Sequence, residues 1–336
     1  MNRIATLLLA FFLAVPAAAQ RRRAVYPAAP PCAETVLAAP FLTYDLVLDG
    51  DVLYFADDEG GVFRLPRNGG EPTRLVGLND GTLVVALAVD EQSVYFSAAA
   101  PDGFLASIYS VQKSGGRPAL LASAVVTPFD LAIDEEFIYW NSIGTPEDEE
   151  FLPDGKIERM RKDGSARTTL ASSLSYPLAI ALDGPNVLFG ETGLAMGNDS
   201  AGLRSVPKSG GVVTALIDDQ PVLGIAATDT NIYIGAVDVT AEAGTVSSLS
   251  KGTNTLTRLA SDAGLPIALR VIGNDLYYFL LSDIDTIRTV PTTGGTARIV
   301  KQADFATQEY AVDACAIFFA TIDYDTFFGT IRRAPR

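Results

Sequence analysis

The stretch LAIDEEFIYW, residues 131–140, decides the fold. An aliphatic strand ends in Asp134, a short polar turn follows, and a second strand ends in the pair Tyr139-Trp140. Neighbours along a strand point to opposite faces, so this pair demands burial on both sides of one sheet. A sandwich keeps one face of each sheet wet. A propeller blade has another blade on either side, and both of its faces are dry.

The same phrase recurs as LVLDGDVLYF, LAVDEQSVYF, IALDGPNVLF, AATDTNIYIG, VIGNDLYYF and AVDACAIFF. Aligned on the aspartate, the repeat falls at Asp49, Asp90, Asp134, Asp183, Thr228, Ile272 and Asp313. These positions are about 41 to 49 residues apart, the period of blades with four strands each. Each copy continues into an alternating strand, a turn and a last strand. Gly69-Gly70, Gly115-Gly116, Gly210-Gly211 and Gly294-Gly295 mark the turn between the third and fourth strands, where a tight hairpin needs positive φ. The aspartate suits the first turn, because its side chain can accept backbone amides there. No period of 3.6 interrupts the pattern. The fold class is all-β: a single propeller of seven four-stranded blades over residues 32–336.

The seventh copy stops at Arg336, after its third strand. Glu34-Thr35-Val36-Leu37-Ala38 supplies the missing strand from the other end of the chain, so an N-terminal strand closes the ring and removes an open edge. The only cysteines, Cys32 and Cys315, fall at this seam and are expected to form a disulfide bond.

Ahead of the seam, Arg3, the apolar run Ile4–Val15 and the small-residue ending at Ala19 have the form of a signal peptide over residues 1–19. The run is shorter than the about 20 residues of a spanning helix. Residues 20–31 are a linker containing Arg21-Arg22-Arg23. The expectation is a secreted or periplasmic protein with no integral membrane segment.

With 40 acidic against 25 basic residues, the formal net charge is −15. Such a chain is not drawn to nucleic acid, which needs a positive face. Histidine is absent, which removes His-based nucleophile systems and His-ligated metal centres.

The phrases LAIDEEFIYW, VPKSGG and YPLAIALD resemble exported bacterial β-propellers related to the YWTD propellers of low-density-lipoprotein receptors and to TolB-like propellers. The resemblance runs from about Thr43 to the end and implies a propeller. The tetrapeptide itself departs here, because Tyr139-Trp140 is followed by Asn141-Ser142.

The first strand of each blade lines the central channel. Four residues before the repeat aspartate stand Asp45, Ala86, Asp130, Ala179, Gly224, Ala268 and Glu309; two before it, Arg270 replaces an alanine or valine. Charges facing a narrow axis are costly unless paired, hydrated or bound to a cation. Either Arg270 pairs with Glu309 of the next blade in a hydrated channel, or Asp45, Asp130 and Glu309 are ligands of a calcium ion, a hard cation that takes oxygens. No cofactor is otherwise required. A second candidate is the acidic loop Glu147, Asp148, Glu149 and Glu150, which reads as solvated surface or as a grip for a basic partner. The functional expectation is a non-enzymatic binding module that holds a protein, peptide or glycan through loops on one face. The alternative is a calcium-dependent, lactonase-like hydrolase at the channel mouth.

Overall fold

The computed structural model of the chain describes residues 34–78, 82–99, 105–126, 128–147, 150–193, 200–282, 284–323, 325–326 and 328–336. The leader, the linker, Cys32, Asp148 and Glu149 lie outside the described residues.

Seven four-stranded antiparallel sheets follow one another along the chain. In blade 1 the strands are Thr43–Asp49, Val52–Asp57, Gly61–Pro66 and Thr73–Gly77, in that order from axis to rim. The innermost strands of blades 2 to 7 are Leu83–Val89, Pro128–Ile133, Pro177–Asp183, Val222–Ala227, Leu265–Ile272 and Phe305–Val312. No helix among the described residues is long and apolar enough to cross a membrane.

The aromatic pairs divide as the alternation of side chains requires. Tyr139 packs with Ile180, Val187 and Phe189 of blade 4, while Trp140 packs with Tyr95 and Ile108 of blade 2. Tyr54 and Phe55 part in the same way, as do Phe318 and Phe319. The core is thus a set of slabs between adjacent blades, seven among the described residues. The third-to-fourth turns hold the expected left-handed glycines; Gly115 has φ of 85° and Gly116 of 138°.

Blade 7 is completed by the strand Thr35–Ala38, paired antiparallel to Phe328–Pro335 with Thr35 opposite Arg333 and Ala38 opposite Ile331. The chain then crosses to blade 1 through a Phe41 amide bonded to the Gly329 carbonyl at 3.0 Å. The Phe41 ring meets Phe55 edge-on at 4.9 Å and Phe63 at 5.1 Å, so the seam is packed as a core. The fully buried Arg333 bonds Asn68 Oδ1 at 2.7 Å and ties blade 7 to the far turn of blade 1. The expected disulfide has to be corrected as an account of the closure. No cysteine pair lies at bonding distance among the described residues, since Cys32 is not one of them, although Cys315 is not a free thiol. The described closure is carried by strand pairing, aromatic packing and Arg333.

The repeat aspartates make the expected turn and also something the turn does not require. Asp90 accepts the Gln92 and Ser93 amides at 2.9 and 2.8 Å through Oδ1; Oδ2 takes the Tyr95 hydroxyl at 3.0 Å. The same Oδ2 meets Lys162 Nζ of the next blade at 2.7 Å. The arrangement recurs between blades as Asp49–Lys113 at 2.5 Å, Asp134–Lys208 at 3.0 Å, Asp183–Lys251 and Asp313–Arg67. Lys113, Lys162 and Lys208 also lie over the rings of Tyr54, Tyr95 and Tyr139 at 5.5 to 5.6 Å. One face of the propeller is therefore stapled blade to blade by a repeated unit of aspartate, tyrosine and cation.

Candidate functional site

The opposite face departs from the repeat. Here each innermost strand enters the ring, and each ladder shifts register at this end, between Thr43 and Leu46 in blade 1 and between Pro128 and Leu131 in blade 3. The same shift stands between Val84 and Ala86, Pro177 and Ala179, Val222 and Gly224, Ile267 and Arg270, and Phe305 and Tyr310. A bulge leaves a backbone group out of the ladder and re-aims the side chains beside it.

Just past these shifts, two of the predicted carboxylates accept amides from the open edge of a neighbouring innermost strand. Asp45 Oδ2 accepts the Leu87 N–H of blade 2 at 2.6 Å, and Asp130 Oδ2 accepts the Ile180 N–H of blade 4 at 3.3 Å. Each carboxylate bridges to the blade that follows its own. Neither makes an ion pair among the described residues. Arg270 donates from Nη2 to Glu309 Oε2 at 2.8 Å and from Nη1 to the Leu269 carbonyl at 3.0 Å, so the expected pairing of blades 6 and 7 is present.

Asp130, Arg270 and Glu309 line one cavity of about 390 Å³ on the axis, and Asp45 lies buried beside it. Blade 3 stands across the ring from blades 6 and 7, so Asp130 faces the Arg270–Glu309 pair over the cavity. The walls are apolar: Tyr44, Val85, Phe129, Leu178, Leu223 and Ile267, contributed by six successive blades. The sequence reading missed this collar, although its signal was available: these residues stand five before the repeat aspartate position in blades 1 to 6.

Enclosure governs the ionisation of the carboxylates. Burial, followed by the negative charge of Glu309, lifts the Asp130 pKa to about 6 against the opposing pull of the Ile180 amide and Arg270. The same two causes, in the same order, push Asp45 well above the usual carboxylate range. In the core between blades 6 and 7, next to the Arg270–Glu309 pair, the Tyr310 hydroxyl is buried with no hydrogen-bond partner among the described residues.

No group of three or more Asp, Glu, Cys or His side chains that could hold a metal ion occurs among the described residues. Asp45, Asp130 and Glu309 are distributed over three blades, and the first two are engaged by backbone amides rather than converging on a point. In the acidic loop, Glu147 and Glu150 fall on a small hairpin in which Pro146 pairs with Phe151, and the Phe151 ring meets Tyr176 edge-on at 4.9 Å.

No family model matches the chain, and no curated protein matches it. Among solved structures, the chain is similar to an oligogalacturonate lyase in complex with manganese, with a TM-score of 0.66 at 13% identity over 94% of this chain and 96% of the other. It is similar to the WD40 β-propeller domain of Doa1, with a TM-score of 0.64 at 11% identity over 91% and 98%. A chain of a nidogen/laminin complex aligns with a TM-score of 0.53 at 20% identity, over 75% and 92%. At these identities the likeness establishes the propeller and leaves activity to the site itself.

Proposed function

We propose that this chain is an extracytoplasmic, non-enzymatic binding module that engages a protein, peptide or glycan through the face on which the cavity opens. The observation that carries this reading is the set of exposed large apolar side chains on the face where the apolar-walled cavity opens. Leu105, Val239, Ile284 and Phe328, exposed by 49, 62, 61 and 41%, all stand at turns between second and third strands, in blades 2, 5, 6 and 7. These turns crown the cavity face. On the stapled face Val212, Val213 and Leu256 stand at third-to-fourth turns of blades 4 and 5, with Leu120 and Ile299 one residue into the fourth strands of blades 2 and 6; these lie at the outermost strands, away from the axis where the cavity opens. Apolar tips from four blades around an apolar-walled opening are the anatomy of an interaction surface. The propellers of Doa1 and of the nidogen/laminin complex are consistent with such a use of the fold. The extracytoplasmic placement rests on the leader of residues 1–19.

The test is photo-crosslinking in the natural host, with the reactive residue placed at 239 or 284 on the cavity face or at 209 on the stapled face. Adducts from 239 and 284 but not from 209 are expected; equal labelling of both faces overturns the reading. The hydrolase alternative gains no support from the carboxylate geometry. Calcium-dependent lactone turnover that is lost in Asp130→Asn would put it in place of the binding module.

A further inference from the structure

The channel mouth holds three carboxylates and one guanidinium, and that guanidinium is matched to Glu309 at 2.8 Å. Asp130 faces the cavity, held from the next blade by one long amide bond, and Asp45 adds a second buried carboxyl that Arg270 offsets only in part. Carboxylates set among apolar walls are poorly accommodated unless a cation joins them. The walls next to Asp130 suit a particular kind of cation. Phe129 precedes it in the same strand and Tyr44 lines the same mouth, so aromatic surface and a carboxylate share one opening. Leu178, Leu223 and Ile267 continue the apolar wall towards Arg270.

We propose that the cavity is a receptor site for an organic ammonium ion on a short apolar stem, with Asp130 as its counter-ion and the collar of Tyr44, Phe129, Leu178 and Leu223 around the stem. This deepens the binding-module reading and rests on it. A volume of about 390 Å³ accommodates a group of this size and lies within the ordinary range of ligand sites. A bare metal ion fits less well, because Asp130 stands across the ring from Glu309 and no three ligating side chains converge among the described residues, whereas an ammonium needs only one carboxylate and a wall for its stem. Asp130 is held by burial and by Glu309 near the pH at which it gains a proton, with Arg270 opposing and Asp45 adding a smaller repulsion on its far side. Ammonium binding therefore weakens as the pH falls through about 6, where the counter-ion becomes neutral.

The experiment is calorimetric titration of the whole protein with hexylammonium, against hexanoate and hexanol as anionic and neutral probes of the same length. Saturable binding of hexylammonium alone is expected, weakened at least about tenfold in Asp130→Asn and on moving from pH 7 to pH 5. The amide keeps an oxygen for the Ile180 N–H, so the variant should fold, and its melting curve verifies that. Binding of Nα-acetyl-lysine methylamide more tightly than hexylammonium identifies the source as a partner's lysine side chain; the reverse order identifies a free amine. Equal binding of hexanoate, or an affinity untouched by Asp130→Asn, overturns the proposal. Absence of hexylammonium binding while the crosslinks at 239 and 284 persist removes this inference alone; loss of both removes the binding-module reading as well.

Discussion

Asp130 and Asp134 stand four residues apart at the two ends of one strand, about 13 Å from each other at the rise of an extended chain, and their surroundings are opposite. Asp134 accepts the Glu136 and Phe137 amides, the Tyr139 hydroxyl and Lys208 of the next blade, at 2.8 to 3.0 Å. Burial would raise its pKa, but these donors outweigh burial and bring it down to about 2. Asp130 has one amide at 3.3 Å from the next blade, and burial with Glu309 takes it up to about 6. The donors around Asp134 come from the repeat and reappear in blade after blade. The surroundings of Asp130 do not run through the repeat: only Asp45 and Glu309 are carboxylates at the same position in other blades. A carboxylate that the repeat satisfies is part of the scaffold; one that the repeat leaves short of donors is available to a ligand.

The sharpest way to break this contrast is Asp134→Ala. It strands Lys208, Tyr139 and two turn amides together, and a loss of about 2–3 kcal/mol is expected in denaturant titration. A loss below about 0.5 kcal/mol would mean that the staples are ornamental surface pairs.

Acid separates the two ends next. A free aspartate titrates near about 3.9 in the unfolded chain. Asp130 has a raised pKa, so between about pH 4 and 6 the folded state holds a proton that the unfolded state has lost. Its contribution therefore favours folding at the acid end of that window and is lost as the pH rises to about 6. Asp90 and Asp134 have lowered values near about 2; their contribution is present above pH 4 and lost as the pH falls from about 4 to 2. Melting temperature should thus rise modestly from pH 7 to about 4.5 and then fall. Asp130→Asn should make the first limb shallower, since Asp45 shares it, and leave the second; a wild-type curve that only falls would contradict the assignment. At pH 7 the same substitution should change stability by less than about 1 kcal/mol, in the stabilising direction, because it keeps an acceptor and removes a poorly solvated charge.

Much of the scaffold was legible because its causes are local or periodic. Tyr139-Trp140 needs two dry faces, Gly115-Gly116 needs positive φ, and a seventh copy lacking its last strand needs one from elsewhere. The staples were legible only in part. Asp90 announced its turn, but Lys162 belongs to the next repeat, and the pair becomes visible only when blades are set side by side. A signal did exist: Arg67, Lys113, Lys162, Lys208 and Lys251 all stand two residues before the same turn position, and where the aspartate gives way to Thr228, the cation of the next blade gives way to Thr292. At the mouth, Asp45, Asp130, Glu309 and Arg270 could be picked out as exceptions among small residues. That two of them would accept edge amides of neighbouring blades could not, since which amide of an innermost strand meets which carboxylate depends on how adjacent blades are set against each other.

That joint loss at Thr228 and Thr292 gives the smallest and most diagnostic prediction. The seam between blades 5 and 6 lacks a staple on the face where other seams have one, and is linked on the opposite face by Tyr278 donating to Asp262 at 2.6 Å and by the Arg288–Asp262 pair. Thr228 already receives the Asn231 amide on Oγ1 at 3.2 Å, as a turn aspartate would. Tyr233 is buried at the position of Tyr95 and Tyr139, so the cradle for an aspartate and the ring for a cation are in place. Thr228→Asp alone should be close to neutral, because the new charge gains an amide but no partner. Thr292→Lys alone should be neutral as well, a cation added to an acidic molecule. Together they should add about 0.5–1 kcal/mol beyond the sum of the singles, the range of partly exposed pairs, and a double-mutant cycle isolates that coupling. The coupling should shrink in molar salt, which screens exposed charges. Zero coupling at low salt would show that an aspartate and a lysine at these positions do not make a staple by themselves, and that the neighbouring seams depend on the tyrosine geometry instead.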